Sequence, residues 1–599
     1  MADASRNGSS SPRPAMRNGQ ARSSRRRTTI ACNACRARRT KCDSRRPFCS
    51  YCHSHGIQCE YQDSPVEAPS KVELELASIN QRLDHLTTLI TTFVTTGVGV
   101  SPGSAVSLSQ REEERFSDEE KAPFELLVSR SIMRALDLDP NFMIDLAMLE
   151  RGAISNGSNG SHRFCIVQTQ QAVSALATFA QQIHIWYPIF RTGFSENYFR
   201  IISGPLPPSA ESSLVLLVAA IGTLSSSQQP PTDERDRHDI PFVEAALSAL
   251  PMILAECSVG SIQCLILLSI YYCCLLKSCQ AHDYILIASF KIQNYFKNNV
   301  PVVDDETKEC LARAYWAILL LESELKNQLE APDSGIWDLN EDIPLPDSSR
   351  TWHFDAPMAS HSPGTPITPQ PPNASMEAVD AYFLAEISMR RMLHRCNTAI
   401  RRTQQGTTAY APRIASELVR QLDEWHNYLL DPIKFDPQNH HSFLGSPLTN
   451  FLHVQYHCYR ISTFWPATYQ AMQDPNVDEQ LLEPCRNLLD SYIALIPSLN
   501  NAINECAVNR WTLFTTMFVT SMAVLKIVST PWLRNLCSPQ LLHVLSPAGT
   551  AHLDLVNRSP SSHRMHLALR ERLANTYSPF DGAPLSSNIV EGTYFGPST

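Results

Sequence analysis

Six cysteines in two copies of a C-x2-C-x6-C spacing open the chain, an unbroken apolar run at alternating intervals of four and three follows, and helix-period segments fill most of the rest. These observations predict the fold class: a small irregular zinc-binding domain plus a short coiled coil and a large all-α domain. Charge is divided along the same lines. Residues 1–60 carry thirteen Lys/Arg against three acids, a net +10 in a chain of net −9, so the remainder is −19. A basic head on an acidic body suits a protein that brings only one end to a polyanion.

Residues 1–28, rich in Ser, Asn, Pro and Arg, predict a disordered basic tail. Within it, Arg22-Ser-Ser-Arg25-Arg26-Arg27 suits nuclear import or phosphate contact, or is a solvated charge run. This polar end has no apolar stretch of the kind a secretory signal needs, so secretion is not expected.

The next segment, 29–61, reads Cys32-x2-Cys35-x6-Cys42-x6-Cys49-x2-Cys52-x6-Cys59. Zinc takes four ligands and thiolates suit it. Two zinc ions require more sulfur positions than six unshared cysteines supply, so two cysteines must bridge. The repeat's pseudo-symmetry points to its equivalent first members, Cys32 and Cys49. One zinc on four cysteines would leave two thiols beside a basic surface. His53 and His55 lie within the second half, but six cysteines in register leave them facing solvent. With every position filled by protein, such a cluster is structural.

The halves differ in what lies between their cysteines. The first carries Arg36, Arg38, Arg39 and Lys41, whereas the second has no Lys or Arg between Cys49 and Cys59. The first half is therefore expected to face double-stranded DNA, with arginine forks matching guanine edges and other cations resting on phosphates. The run CNACRARRTKC (32–42) resembles the hallmark of the fungal Zn2Cys6 binuclear-cluster transcription factors. The resemblance implies two Zn2+ and base contacts from Arg38 and Arg39, commonly to a CGG-type triplet. It also implies phosphate contacts from Arg36 and Lys41, and a loop shaped by Pro47 between the halves. The family often has Lys at one of the base-reading positions, where this chain has Arg at both.

A linker, 62–70, leads to 71–96, where Val72, Leu76, Ile79, Leu83, Leu86, Ile90 and Phe93 form an unbroken heptad stripe. Leu76, Leu83 and Ile90 take the a positions and the other four take d. Polar neighbours keep the stripe narrow, as a two-stranded homodimer seam requires; the alternative is an amphipathic helix packed on the following domain. Gly97 and Gly99 end the helix, and 97–115 is a flexible connection.

From 116 to 578, helical segments are expected at Leu214–Leu224, Pro241–Leu254, Ala281–Asn298, Cys310–Glu330, Met376–Gln404 and Arg510–Val528. A Pro/Ser/Thr/His-rich interruption, 351–374, is expected as a mobile loop, and 579–599 as a tail. The most apolar run, Ser261–Leu276, is shorter than the ~20 residues that span a bilayer and reads as a buried helix, with no membrane role expected. Most cysteines outside the cluster are expected to be small core residues in a reducing compartment. Three stretches, Tyr187–Phe190, Gly204–Gly222 and Arg313–Trp337, resemble the middle homology region of the same fungal regulators, which makes this the large all-α regulatory domain.

Cluster, basic skew and heptads together point to a dimeric transcription factor, which the resemblance implies is a nuclear regulator of RNA polymerase II genes. The resemblance extends this to a metabolic or secondary-metabolite pathway. An enzyme is not expected: the chain has no HExxH, GxSxG, Walker A or GxGxxG. Glu322 and Glu324, two apart, are expected to make surface contacts on different helix faces. The other reading of the cluster is a protein-interaction module on a helical scaffold, against which the one-sided arginines argue. The acidic run Arg111–Lys121 and the acidic, aromatic tail suit contact with transcription machinery or serve as solvated linkers. Activator and repressor both stay open. So do a small-molecule effector for the helical body, the half-site spacing and the target genes.

Overall fold

The structure is a computed structural model. It describes residues 31–60, 130–152, 168–226, 237–297, 304–329, 331–350, 352–354, 376–395, 400–402, 408–438, 446–549 and 552–577. These fall into two compact units, one holding 31–60 and the other everything from 130 onward. The heptad residues Val72 to Phe93, the basic run at 22–27, the acidic run at 111–121 and the tail at 579–599 lie outside the described residues.

The first unit has two short helices, α1 (Asn33–Ala37) and α2 (Ser50–Ser54), one in each cysteine repeat. Its ends are tied together, because the Asn33 N–H donates to the Glu60 carbonyl at 2.8 Å. Its small core consists of cysteines: Cys32, Cys35, Cys49 and Cys52 are fully buried and Cys59 nearly so.

The second unit is a helical bundle around one continuous apolar core. It begins with α3 (Arg130–Ala135), α4 (Phe142–Gly152) and α5 (Thr169–Phe179), which runs into a π-helical turn at Ala180–His184. There follow α6 (Phe194–Ile202), α7 (Ala210–Ser226), α8 (Ile240–Ser248), α9 (Leu250–Ala255) and α10 (Val259–Cys274). Next come α11 (Ser278–Lys297), α12 (Asp305–Leu329) and α13 (Met376–Arg395). The hairpin β1 (Ile400–Arg402) and β2 (Thr408–Tyr410) pairs Ile400 with Tyr410. The chain finishes with α14 (Pro412–Asn427), α15 (Pro447–Gln473), α16 (Glu479–Glu505) and α17 (Arg510–Ser529). Three further helices, α18 (Pro539–Leu545), α19 (Leu553–Val556) and α20 (Pro560–Tyr577), close it.

Helices apolar on all sides must be enclosed. α7 and α10 accordingly form the centre of the first part, with α5 and α8 against α7 and α11 against α10. α10 starts at a capping box between Ser258 and Ser261, and it takes in the apolar run from 261 as a buried helix that ends at Cys274, two residues short of the expected Leu276. α15 and α16 pack along each other, starting from side-chain caps at Ser446 and Asp478. Among the described residues, α17 is the one helix long and apolar enough to cross a membrane, and 83% of that window is buried inside the bundle. α5 and α7 approach so closely that a Cβ on Gly222 would sit 1.9 Å from the Ala175 carbonyl oxygen.

Several local expectations change. The segment 241–254 is two helices, because Pro251 has no N–H to continue the first. The helix from Met376 stops at Arg395, and β1 holds Ile400–Arg402. Trp352 and Phe354, at the start of the expected mobile loop, are buried. The Trp352 indole donates to the Asp347 carbonyl at 3.0 Å, and the Arg313 guanidinium lies over its ring. Glu322 and Glu324 are buried rather than on the surface. Glu322 accepts from the Ser334 backbone N–H and hydroxyl; Glu324 pairs with Arg390, which also holds Glu386 at 3.0 Å. Of the described cysteines outside the cluster, Cys257 is exposed and Cys537 half-buried; the rest are in the core.

Candidate metal centre and nucleic-acid interface

Cys32 and Cys49 stand at the same place in each repeat, and the fold uses them identically. Each is the N-cap of its helix, its Sγ accepting the N–H of Cys35 or Cys52 at 3.4 Å. The positive end of each short helix thus faces sulfur. Each helix also ends alike. Thr40 N–H returns to the Cys35 carbonyl and Arg39 N–H to Arg36; in the second half Ile57 returns to Cys52 and Gly56 to His53. This C-terminal turn requires a left-handed residue. It is Gly56 (φ 59°) in one half and Arg39 (φ 54°) in the other.

The repeats bring the sulfurs together. Cys32 and Cys49 Sγ are 3.8 Å apart, Cys32 and Cys52 3.6 Å, and Cys35 and Cys49 3.6 Å. A zinc tetrahedron with Zn–S bonds of ~2.3 Å has edges of about 3.8 Å. Two groups of four have all their sulfurs within 4.8 Å: Cys32, Cys35, Cys42 and Cys49, and Cys32, Cys49, Cys52 and Cys59. The donor set therefore fits two zinc ions, and it does so with six thiols and no histidine. His53 and His55 are exposed, and the His55 ring stacks on Tyr51.

Loss of solvent pushes the Cys32 and Cys52 thiols up, whereas the Cys49 N–H, donated at 3.3 Å, lowers Cys59. A cation that replaces the protons on such thiols releases them, which couples zinc binding to pH and to folding. Between the halves, Asp43 accepts both the backbone N–H of Ser50 (3.0 Å) and its hydroxyl, and these bonds hold its carboxyl below the usual range. This clip fastens the connecting loop to the start of α2. Sequence reasoning did not find it, because Asp43 lies seven residues before Ser50 and the N-cap itself is Cys49, so no local capping pattern marks it. The Arg46–Pro47 peptide in the same loop is cis.

Arg36, Arg38, Arg39 and Lys41 are all exposed, and among the described residues no carboxylate pairs with any of them. They lie on and just after α1, so the cations flank one half of the cluster only. Arg45, in the connecting loop, leans on Asp43 at 3.7 Å.

Comparison with known proteins agrees with this geometry. The family model "Fungal Zn(2)-Cys(6) binuclear cluster domain" matches residues 30–67. "Fungal specific transcription factor domain" matches 176–427. "Putative transcription factor ecdB" of Aspergillus rugulosus is 41% identical over 576 residues, covering 92% of this chain and 98% of that protein. "Zn(2)-C6 fungal-type transcription factor afumD" of Aspergillus fumigatus is 55% identical over 42 residues, 7% of this chain and 11% of that one. "Transcription factor qa-1f" of Neurospora crassa is 53% identical over 45 residues, 8% of this chain and 6% of that one. No solved structure matches. The chain therefore belongs to the fungal Zn(2)-Cys(6) transcription factors, DNA-binding proteins rather than enzymes, whose cluster domain binds two zinc ions.

Proposed function

We propose that this chain is a nuclear, homodimeric regulator of RNA polymerase II genes that reads CGG-type triplets through the first half of its cluster. The observation that carries this reading is the one-sided display of Arg36, Arg38, Arg39 and Lys41, exposed and without acidic partners, beside a second half that has no Lys or Arg. Arg38 and Arg39 are assigned to base edges, and Arg36 and Lys41 to phosphates. The zinc ligands are assigned as Cys32, Cys35, Cys42, Cys49, Cys52 and Cys59, with Cys32 and Cys49 bridging. Those two are the sulfurs common to both groups of four.

Dimerisation is assigned to Val72, Leu76, Ile79, Leu83, Leu86, Ile90 and Phe93 on their heptad spacing. Contact with transcription machinery, and control of a metabolic or secondary-metabolite pathway, rest on the family. The test is an unbiased binding-site selection with the zinc-loaded full chain, with and without a zinc chelator. Zinc-dependent enrichment of two triplets at a fixed spacing is expected. A single enriched triplet would remove the dimer and keep the DNA reading. No enrichment would shift the cluster to the protein-interaction role.

A further inference from the structure

The helical body holds a cleft of about 390 Å³ where α15, α16 and α18 meet. That volume lies in the lower part of the range for small-molecule sites. Its polar lining comes from Tyr456, His457 and Arg460 on α15, Asn487, Asp490 and Ser491 on α16, Gln540 on α18, and Gln438 before α15. Ile493 and Ala494, both buried, add an apolar wall.

Two features of this lining point to a ligand. Arg460 is held in place but weakly used. Its guanidinium lies over the Tyr456 and Phe464 rings, at 5.9 and 5.7 Å from their centroids. Its polar contacts are all long: Nε to Ser491 Oγ at 3.4 Å, Nη1 to Tyr456 Oη at 3.4 Å, and Nη1 to Asp423 at 3.8 Å. An arginine has five N–H donors, and among the described residues the Nη2 pair meets no acceptor. Asp490 lines the same cleft, is exposed, and makes no hydrogen bond or ion pair among the described residues. Arg460 and Asp490 thus share one cavity without closing the 4.0 Å ion pair that opposite charges would otherwise form.

We infer that this cleft binds a small zwitterion of the α-amino acid class, its carboxylate on Arg460 and its ammonium on Asp490. The aromatic clamp orients the guanidinium fork in advance, so little side-chain freedom is lost when a carboxylate docks. Ser491, Asn487 and Gln540 supply further hydrogen bonds, and Ile493 and Ala494 receive a compact aliphatic side chain. A simple anion would leave Asp490 facing it with like charge, whereas a zwitterion satisfies both groups. This inference is independent of how the cluster reads DNA.

The experiment is calorimetric titration of the zinc-loaded full chain with the proteinogenic L-amino acids, one at a time. For any that bind, the N-acetyl and carboxamide derivatives are titrated next. Saturable binding by at least one free amino acid is expected, with each blocked derivative weaker by about tenfold or more. Arg460→Gln and Asp490→Asn are each expected to weaken it similarly, with unchanged far-ultraviolet circular dichroism. Asp490 is exposed and unpaired, so its variant keeps the test valid if Arg460→Gln fails to fold. Binding by no amino acid, equal binding by the N-acetyl form, or an unchanged Asp490→Asn would each overturn the inference.

Discussion

Arg39 holds a left-handed backbone (φ 54°) at the end of α1, where the equivalent position after α2 is Gly56 (φ 59°). That conformation costs an L-residue about 1–2 kcal/mol, and glycine's greater freedom in the unfolded chain takes back about 0.5–1 kcal/mol. Arg39→Gly should therefore stabilise the free, zinc-loaded cluster by about 0.5–1 kcal/mol. The same substitution should weaken DNA binding by about 1–3 kcal/mol and relax base preference, if the guanidinium reads a base edge. Opposite signs on one variant separate a strained functional side chain from a supporting one. The reciprocal change, Gly56→Ala, meets no atom within 4 Å of its new Cβ, so only backbone strain opposes it. It should cost about 0.5–1 kcal/mol, the left-handed strain less the unfolded-chain freedom that glycine gives up. Stability is read as the urea midpoint of zinc release to a colorimetric chelator, and DNA binding by titration against selected and scrambled duplexes at fixed salt. Loss of both stability and affinity in Arg39→Gly would refute the reasoning, and so would unchanged DNA binding.

Cys49→Ala should abolish binding of both zinc ions, since its sulfur belongs to both groups of four, whereas Cys42→Ala should spare the group of Cys32, Cys49, Cys52 and Cys59. Zinc per chain by atomic absorption distinguishes them, and equal losses would argue against the bridging assignment. Gly222→Ala places a methyl group against the Ala175 backbone. It should destabilise the body by about 3 kcal/mol, the upper part of the overpacking range, in denaturant unfolding. Arg390→Met strands Glu324 and Glu386 in the core and should cost about 3–5 kcal/mol, far more than an exposed arginine substitution. Leu83→Glu should weaken binding to paired half-sites while sparing a single one. An unchanged dimer in sedimentation would show that the stripe packs elsewhere.

The cluster was legible because its information is local and arithmetic. Six thiols at repeated intervals, two four-coordinate metals and a two-fold repeat were enough to single out Cys32 and Cys49, the two sulfurs shared by the groups of four. The excess of cations between Cys35 and Cys42 needed only counting. The all-α character of the body was similarly open to inspection, because its long segments are broken by Pro, Gly and Ser and few stretches alternate with the two-residue period of strands.

Tertiary structure decided whatever depended on partners remote in sequence. Glu322 and Glu324 lie two apart on one helix, and spacing alone assigned them to the surface. Ser334 and Arg390, 12 and 66 residues away, are what make their burial tolerable. Trp352 and Phe354 sit in polar, proline-rich sequence, yet the core accepts them because Arg313 and Asp347 give Trp352 a cation and a carbonyl, and His184, Phe190 and Phe194 pack on Phe354. Prolines 466, 484 and 497 run inside α15 and α16, where packing between the two helices outweighs the lost backbone bonds. The cleft at Arg460 and Asp490 likewise exists only because α15, α16 and α18 converge. Metal spacing and apolar periodicity are properties of neighbours along the chain, whereas compensation of buried charge is a property of neighbours in space.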